Sequence, residues 1–525
     1  MAIYLGLDSS TQSLTATAIE VDGGTRRVLF ERSMVFDAAL PSFGTHHGVL
    51  PSDDPLVAVA PPLLWVETLE RMMADIAASG ISLASVRAIA GSAQQHGSVY
   101  LGHGAGDRLR RLDASLPLAD QLRDHFSRRV SPIWMDTSTR RECDEITAAL
   151  GGSAAVARLT GSRVFERFTG PQIRKFAREH PDAYTRTERI HLVSSFLASL
   201  LAGCHAPIDP GDASGTNLMD ITTGDWSGEA VRATAPGLEE RLPPIRPSSL
   251  IVGALAPYWR ERYGFGGAHV VAWSGDNPCS LIGSGLVREG IIAISLGTSD
   301  TVFGFMHAPR VDGSGTGHVF GSPTGDYMGL TCFRNGSLAR ERVRDRYGLD
   351  WTEFSDALRR TTPGNHGAIM LPWFDPEITP LVLQPRVHQF DLDPNDAPAN
   401  VRAVVEAQMM AMARHSRWMG AAVTRIHATG GAAANREMLQ VMADVFAADV
   451  YAMSVGNTAA LGAALRAYHA DRSAQGVPIT WDEVIAGFAE PCSSAIQPRA
   501  EYRATYDALL HHHALREAEA LGRRR

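Results

Sequence analysis

The chain reads as an α/β protein built from two similar halves, and three observations carry that expectation. Two stretches open alike: Tyr4-Leu5-Gly6-Leu7-Asp8-Ser9-Ser10-Thr11 and Ile294-Ser295-Leu296-Gly297-Thr298-Ser299-Asp300-Thr301 each run an apolar strand into a turn of glycine and hydroxyl residues. A second apolar strand follows each turn, Leu14 to Ile19 and Val302 to Met306. Strands and helices then alternate on a scale that argues α/β layers. Finally, 525 residues with 45% hydrophobic and 20% charged side chains exceed one core and suffice for two. Turns of this composition let backbone N–H groups approach a phosphate closely. The pair of them implies a nucleotide held between the halves.

Taken in order, the first half begins with antiparallel strands from Ile3 to Glu20 and Arg27 to Val35 around the turn Val21-Asp22-Gly23-Gly24. A loop rich in Pro, Gly and His runs from Leu40 to Asp54. Helical spacing of Leu63, Leu64, Val66, Leu69, Met72, Met73 and Ile76 predicts a helix from Pro62 to Ala78. The strand Val86 to Ser92 ends in Ala93-Gln94-Gln95-His96-Gly97, a polar, glycine-bounded strand end that suggests a ligand-facing loop. Near residue 270 the pattern restarts. Val270 to Trp273 reads as a buried strand leading into Ser274-Gly275-Asp276-Asn277, the strand end where open α/β sheets carry catalytic groups. Beyond it come Ile291 to Met306, a helix from Val401 to Met419 closed by Gly420, a strand from Arg425 to Thr429 and a helix from Arg436 to Ala448. In the last of these Met438, Leu439, Met442, Val445 and Phe446 form one apolar stripe.

Composition excludes several classes. A net charge of -8 gives no general attraction to nucleic acid or to an anionic membrane. No stretch reaches the roughly 18 to 20 apolar residues of a membrane span, and the N-terminus runs into a strand without a signal core. The five cysteines (Cys143, Cys204, Cys279, Cys332, Cys492) form no C-x-x-C pair, which fits a reducing, cytoplasmic setting. Lys175 is the sole lysine, so a Walker A loop and a kinase lysine strand are both excluded. If the chain handles ATP, amides, hydroxyls, arginines and a metal must hold it. His511-His512-His513 stands in a helical context that points consecutive residues apart, which disfavours a metal site; the end Leu521 to Arg525 reads as a frayed tail.

Four places could carry chemistry. Asp8 is either a turn aspartate bonded to its own backbone or an anchor for Mg²⁺ beside a polyphosphate; its partnership with the second hairpin favours the metal. Asp276 is either the N-cap of a helix starting near Pro278 or a general base that orients an alcohol and accepts its proton; we expect the base. His427-Ala428-Thr429-Gly430-Gly431-Ala432-Ala433-Ala434-Asn435 is either tight packing or a flat shelf for an adenine or ribose. His96, Trp134 and Trp351, taken one by one, read as ordinary packing residues.

These residues together resemble the FGGY carbohydrate kinases, of the fold superfamily shared by actin, hexokinase and the heat-shock ATPases. The resemblance covers essentially the whole chain and is carried by the Asp8 hairpin, Gln94-Gln95-His96-Gly97, Gly275-Asp276-Asn277, Gly297-Thr298-Ser299 and Gly430-Gly431-Ala432 with Asn435. It implies two ribonuclease-H-like domains with a nucleotide cleft between them: a sugar-binding domain over 1–268 and a nucleotide-binding domain over 269–525. It implies that His96, Gln95, Arg167, Asp276 and Asn277 hold a sugar, with Asp276 as catalytic base. Ser10, Thr11, Gly297, Thr298, Trp351, Gly431, Ala432 and Asn435 would bind ATP, and Asp8 would hold Mg²⁺. The histidine loop is similar to that of family members acting on xylulose, where glycerol-specific members carry an Arg-Glu pair. Trp134-Met135-Asp136, Gly161-Ser162-Arg163 and Glu166 to Gly170 add to that likeness. The implied partners are ATP and a small sugar, D-xylulose foremost, with ribulose, glycerol or gluconate as alternatives; no nucleic acid or membrane is implied, and the chain would act as a monomer or homodimer. A chaperone-like or actin-like ATPase is the rival of another class. Three features depart from the family pattern. The usual Trp-x-Asp-x-Arg has its arginine displaced to Arg140, which receives no sugar-binding role; Gln95 stands where bacterial members often carry methionine; and Asp212 to Asn217 differs from the more common Asn-containing loop.

Overall fold

The computed structural model describes residues 2–420, 422–453, 456–490 and 494–522. Cys492 and Arg523 to Arg525 lie outside them. The chain divides into two compact units. The first unit comprises residues 1–287, 319–328 and 457–489; the second comprises 288–318, 329–456 and 490–525.

The first unit is organised on a seven-stranded sheet. Its strands are β1 (Ile3–Ser9), β2 (Ser13–Asp22), β3 (Thr25–Val35), β4 (Val86–Ala93), β5 (Ile251–Ala254), β6 (His269–Val271) and β7 (Ser274–Gly275). They lie in the order β3-β2-β1-β4-β6-β5, with β7 also on β4. The β1–β2 and β2–β3 pairs are antiparallel, while β4 runs parallel to β1, β6 and β7. Helix α1 (Pro62–Ala78) keeps the expected bounds and buries Leu64, Trp65, Val66, Leu69, Met72, Met73 and Ile76 against one face of the sheet. Helix α2 (Asp276–Gly283) opens directly from β7.

In the second unit the parallel and antiparallel pattern repeats. Strands β8 (Ile291–Leu296), β9 (Asp300–Met306), β10 (Tyr327–Phe333), β11 (Arg425–Thr429) and β12 (Asp449–Ala452) lie in the order β10-β9-β8-β11-β12. The β8–β9 hairpin is antiparallel, and β8–β11 and β11–β12 are parallel. Thus β8–β9 corresponds to β1–β2, β11 to β4 and β12 to β6, which is the internal similarity the two hairpins predict. Helices α3 (Trp351–Arg360) and α4 (Ala397–His415) pack on α5 (Arg436–Phe446), which packs on β12. The chain then returns to the first unit as α6 (Thr458–Ala474) and ends in the second as α7 (Arg503–Ala520).

A boundary at 268 does not follow these units. Residues 269–287 belong to the first, because β6 and β7 pair with β4 and Val270 and Trp273 join its core. Helix α6 belongs there too: Ala464, Leu465, Ala467 and Tyr468 cover Tyr4, Ile19, Ala88 and Ala90 on the sheet face opposite α1. Asp276 therefore shares a unit with Asp8 and His96.

Candidate active site

In parallel sheets ligands gather at the carboxyl ends of the strands, and the first unit's polar residues collect there. Asp8 on β1 stands opposite Ser92 on β4, and Ser92 in turn stands opposite Ser274 on β7. That register brings Asp8 and Asp276 near one another. The Ser92 hydroxyl donates to Asp8 Oδ1 at 2.6 Å. Burial, reinforced by the charge of Asp276, raises the Asp8 carboxyl to about 7 against the hydrogen bond from Ser92. The N-cap alternative for Asp276 fails: Gly275 caps α2 and no side chain caps it. Instead the Asp276 carboxylate accepts from the Asn277 N–H at 2.8 Å and from Asn277 Nδ2 at 3.0 Å. Burial raises it to about 6, and amides including those of Asn277 and Gln95 oppose the rise.

The loop after β4 supplies the neighbours. His96 adopts φ 71°, a left-handed backbone uncommon outside glycine. Its Nδ1 lies 2.6 Å from the Gly215 carbonyl oxygen. A carbonyl can only accept, so Nδ1 carries the proton and Nε2 is the acceptor. The ring stacks on Phe168, centroids 4.3 Å apart. Burial, aided by the Arg167 charge, pulls it down to about 3, so it is neutral near pH 7. A side chain at Gly215 would put its Cβ 2.9 Å from this ring, so only glycine gives the close approach. Gln95 is held at both ends: Nε2 donates to the Gly211 carbonyl at 3.2 Å and Oε1 accepts from Asn277 Nδ2 at 3.0 Å. Arg167 lies over Phe165 and Phe168 at 5.0 and 5.6 Å.

Among the first hairpin's hydroxyls, Ser10 bonds the Ser13 carbonyl at 3.1 Å, and Thr11 accepts from Trp134 Nε1 at 2.7 Å. In the second unit, Gly297, Thr298, Trp351, Gly431, Ala432 and Asn435 all line one cavity of about 840 Å³. Trp351 stands half-exposed at the start of α3, with Arg344 4.6 Å from its ring. Asn435 caps α5 by accepting from the N–H groups of Glu437 and Met438, and donates to the Ser355 hydroxyl at 2.8 Å. The shelf after β11 thus occupies the topological place that the His96 loop occupies after β4.

The structure adds groups that the sequence reading missed. Gly211 and Gly215 present carbonyls to Gln95 and His96, Phe168 stacks on the histidine, and Ser92 fixes Asp8. The signal for the first pair was the glycine spacing in Gly211 to Gly215. Arg140 is exposed and pairs with Asp144 and Glu166. Among the described residues no helix is long and apolar enough to cross a membrane, and no three His, Cys, Asp or Glu residues gather as a metal cage.

Two mixed sheets, each with a glycine and hydroxyl hairpin, a carboxylate at a strand end on one unit and a cavity beside a glycine shelf on the other, are the frame of a sugar kinase. The chain belongs to the FGGY family of carbohydrate kinases, matching the family's N-terminal domain over residues 128–283 and its C-terminal domain over 292–470. It is 42% identical to xylulose kinase of Rattus norvegicus, with 99% of this chain and 97% of that protein covered. It is 41% identical to xylulose kinase 2 of Arabidopsis thaliana over 89% of this chain and 87% of the other. In fold it is similar to the crystal structure of gluconate kinase from Lactobacillus acidophilus, with a TM-score of 0.81 and 18% identity over 99% of this chain and 98% of that one. The fold is therefore the two-domain, actin- and hexokinase-like one that the motifs imply.

Proposed function

We propose that the protein phosphorylates D-xylulose with ATP, giving D-xylulose 5-phosphate. The observation that carries this reading is the 42% identity, along essentially the full length of both chains, to a protein named xylulose kinase. The chemistry of the first unit agrees with it.

Phosphoryl transfer to an alcohol requires a carboxylate that orients the hydroxyl and accepts its proton late, along a loose transition state. Asp276 fills that role: with its carboxyl at about 6 it is still mostly ionised at neutral pH and is a better proton acceptor than an ordinary carboxylate. His96 Nε2, a neutral acceptor, takes a sugar hydroxyl proton in a hydrogen bond. Arg167 supplies donors to sugar oxygens, and Asn277, whose Nδ2 hydrogens go to Gln95 and Asp276, offers its Oδ1 as an acceptor to a sugar hydroxyl. Gln95 acts through Asn277 and through its own amide on Asp276. On the second unit, Trp351, Gly431, Ala432 and Asn435 receive the adenosine, and Gly297 with Thr298 serves the phosphates. Ser10 and Thr11 on the first hairpin serve the phosphates too.

The donors near Asp8 fit magnesium, which takes one or two carboxylates and fills its remaining positions with phosphate oxygens and water. Asp8, with its carboxyl raised by burial and by Asp276, is the side chain that would hold it. When bound, the ion supplies neutralising charge to the phosphates. The described free thiols of Cys143, Cys204, Cys279 and Cys332 suit a reducing compartment, and we place the enzyme in the cytoplasm. It works as a monomer or homodimer.

A panel of D-xylulose, D-ribulose, glycerol and gluconate, with ADP release coupled to a reporter, tests the assignment. D-xylulose gives the highest kcat/KM, and Asp276→Asn lowers kcat by about 10²- to 10⁴-fold, the usual share of general base catalysis. ATP turnover faster with another acceptor would reassign the substrate, and slow hydrolysis indifferent to every sugar would favour the ATPase reading.

A further inference from the structure

The second unit holds a buried ion pair that the reaction described above does not use. Arg340, on the helix Ser337–Arg346, has no solvent exposure. Its guanidinium grips Asp300 with two bonds, Nη1 to Oδ2 at 2.8 Å and Nη2 to Oδ1 at 3.1 Å. Nη1 also donates to Gln408 Oε1 on α4 at 2.8 Å, and Nη2 reaches the Gly297 carbonyl at 3.5 Å. The Gly297 carbonyl accepts again from the Ser337 N–H at 2.8 Å, and the Gly297 N–H donates toward the Asp300 carboxylate. Both polar groups of Gly297 are thus turned inward. Thr298 and Ser299, at the tip of the same hairpin, are exposed, and their hydroxyls bond to no other described residue.

The segment under the hairpin is itself clamped. Gln408 Nε2 donates to the Asn335 and Gly336 carbonyls at 2.7 and 3.0 Å, and Glu377 accepts from the Arg334 N–H at 2.6 Å. A Cβ at Gly336 would stand 2.7 Å from both the Gly297 and Thr298 carbonyl oxygens. The Arg340 side chain joins the hairpin to Gln408 of α4, which in turn holds the clamped segment, and it lines the 840 Å³ cavity together with Gly297 and Thr298. Such a geometry needs a planar fork of several donors, which arginine has and lysine lacks.

We propose that Arg340, acting through Asp300, is the positioning residue of the phosphate hairpin, locking Gly297 inward so that Thr298 and Ser299 present their amides and hydroxyls to the nucleotide's phosphates. This deepens the kinase reading above and rests on it. Arg340 touches no phosphate itself; it sets where the hairpin's tip stands.

Two variants test it. Arg340→Lys keeps the charge and loses the fork. The double variant Asp300→Leu/Arg340→Met replaces the pair by apolar side chains of similar bulk and avoids an unpaired buried charge. For each, ADP binding is measured by calorimetry, KM for ATP and for D-xylulose by coupled assay, and folding by near-UV circular dichroism. We expect the ADP Kd and the ATP KM to rise at least tenfold in both, with the sugar KM within twofold of wild type. A folded variant whose ADP Kd and ATP KM stay within twofold of wild type overturns the proposal, as does a fall in kcat with both KM values unchanged. Failure of both variants to fold also overturns it, since the pair then serves the core and not the hairpin. The ADP arm needs no sugar, so a wild-type protein that binds ADP and phosphorylates no sugar would sink the kinase reading and leave the hairpin result standing.

Discussion

Asp276 and His96 are pulled in opposite directions by the same cause. Removal from water disfavours charge, which lifts a carboxyl and lowers an imidazole. Asp276 is raised to about 6 and His96 lowered to about 3. Magnesium at Asp8 would hold that carboxyl ionised, which leaves Asp276 as the group that titrates in the loaded enzyme. A general base works only when deprotonated, so kcat falls as pH drops through about 6 and levels off above it. His96 stays neutral across that whole range, and its hydrogen-bonding role does not change. We therefore expect an acid limb in kcat near pH 6, approaching tenfold per unit below it, with a sugar KM flat between pH 5 and 8. Steady-state rates at saturating ATP check both; a sugar KM that rises on acidification in step with the fall in kcat would refute the division of labour. Asp276 and Asp8 stood out in the sequence because each is a carboxylate closing an apolar strand, whereas His96 read as a packing residue and gained a sugar role only from the resemblance. Their supports were not legible. Gly215 faces His96 across 119 positions and Ser92 faces Asp8 across 84, and no local pattern records a contact that only the folded chain makes.

At the scale of elements, the seam between α2 and α6 sets where Asp276 stands. It is closed by glycine: a Cβ at Gly462 would lie 1.9 Å from the Cys279 carbonyl oxygen, and one at Gly283 would lie 1.9 Å from that of Thr458. The same helix presses on β1, where a Cβ at Gly6 would meet the Ala460 carbonyl oxygen at 2.0 Å. Backbone cannot yield as a flexible side chain can, so Gly462→Ala must part the two helices. Overpacking of this kind costs about 1–3 kcal/mol, and the shift is passed to the first residue of α2, which is Asp276. Gly462→Ala should lower the thermal midpoint by several degrees and kcat by at least tenfold while leaving ADP affinity unchanged; wild-type kcat in that variant would show that α2 is anchored elsewhere. Periodicity explains which elements could be read beforehand. Helix α1 and strand β11 show clear 3.6- and 2-residue patterns and fall at the expected bounds. Helix α4 begins four residues earlier than expected because Asp396 caps it and Pro398 fits its first turn. Helix α5 stops at Phe446 because Ala447 turns left-handed, φ 51°. Helix α6 went unread: Thr458-Ala459-Ala460-Leu461-Gly462-Ala463-Ala464 is small on every side, as close packing demands, and shows no apolar stripe.

For the molecule as a whole, the chain passes between its two compact units five times, so neither is one continuous stretch. A division at 268 is what a restarting pattern suggests, because sequence order is all that a reader of the sequence has. Pairing overrides that order. Residues 1–268 lack β6 and β7, which leaves the far side of β4 unpaired, and they lack α6, which leaves Tyr4, Ile19, Ala88 and Ala90 without cover. A sheet with an open central strand and a bare apolar face cannot hold a single packed state. A protein of residues 1–268 should accordingly show no cooperative thermal transition and rapid proteolysis. Joining residues 1–287 to 457–489 through a short glycine-serine linker should restore a sigmoidal melt, since the Gly283 and Thr458 backbones are in contact at the junction. Circular dichroism at 222 nm follows both. A sharp transition from 1–268 alone would mean that the first unit's core closes without its late helix, and that α6 is an ornament of the fold and not a part of its frame.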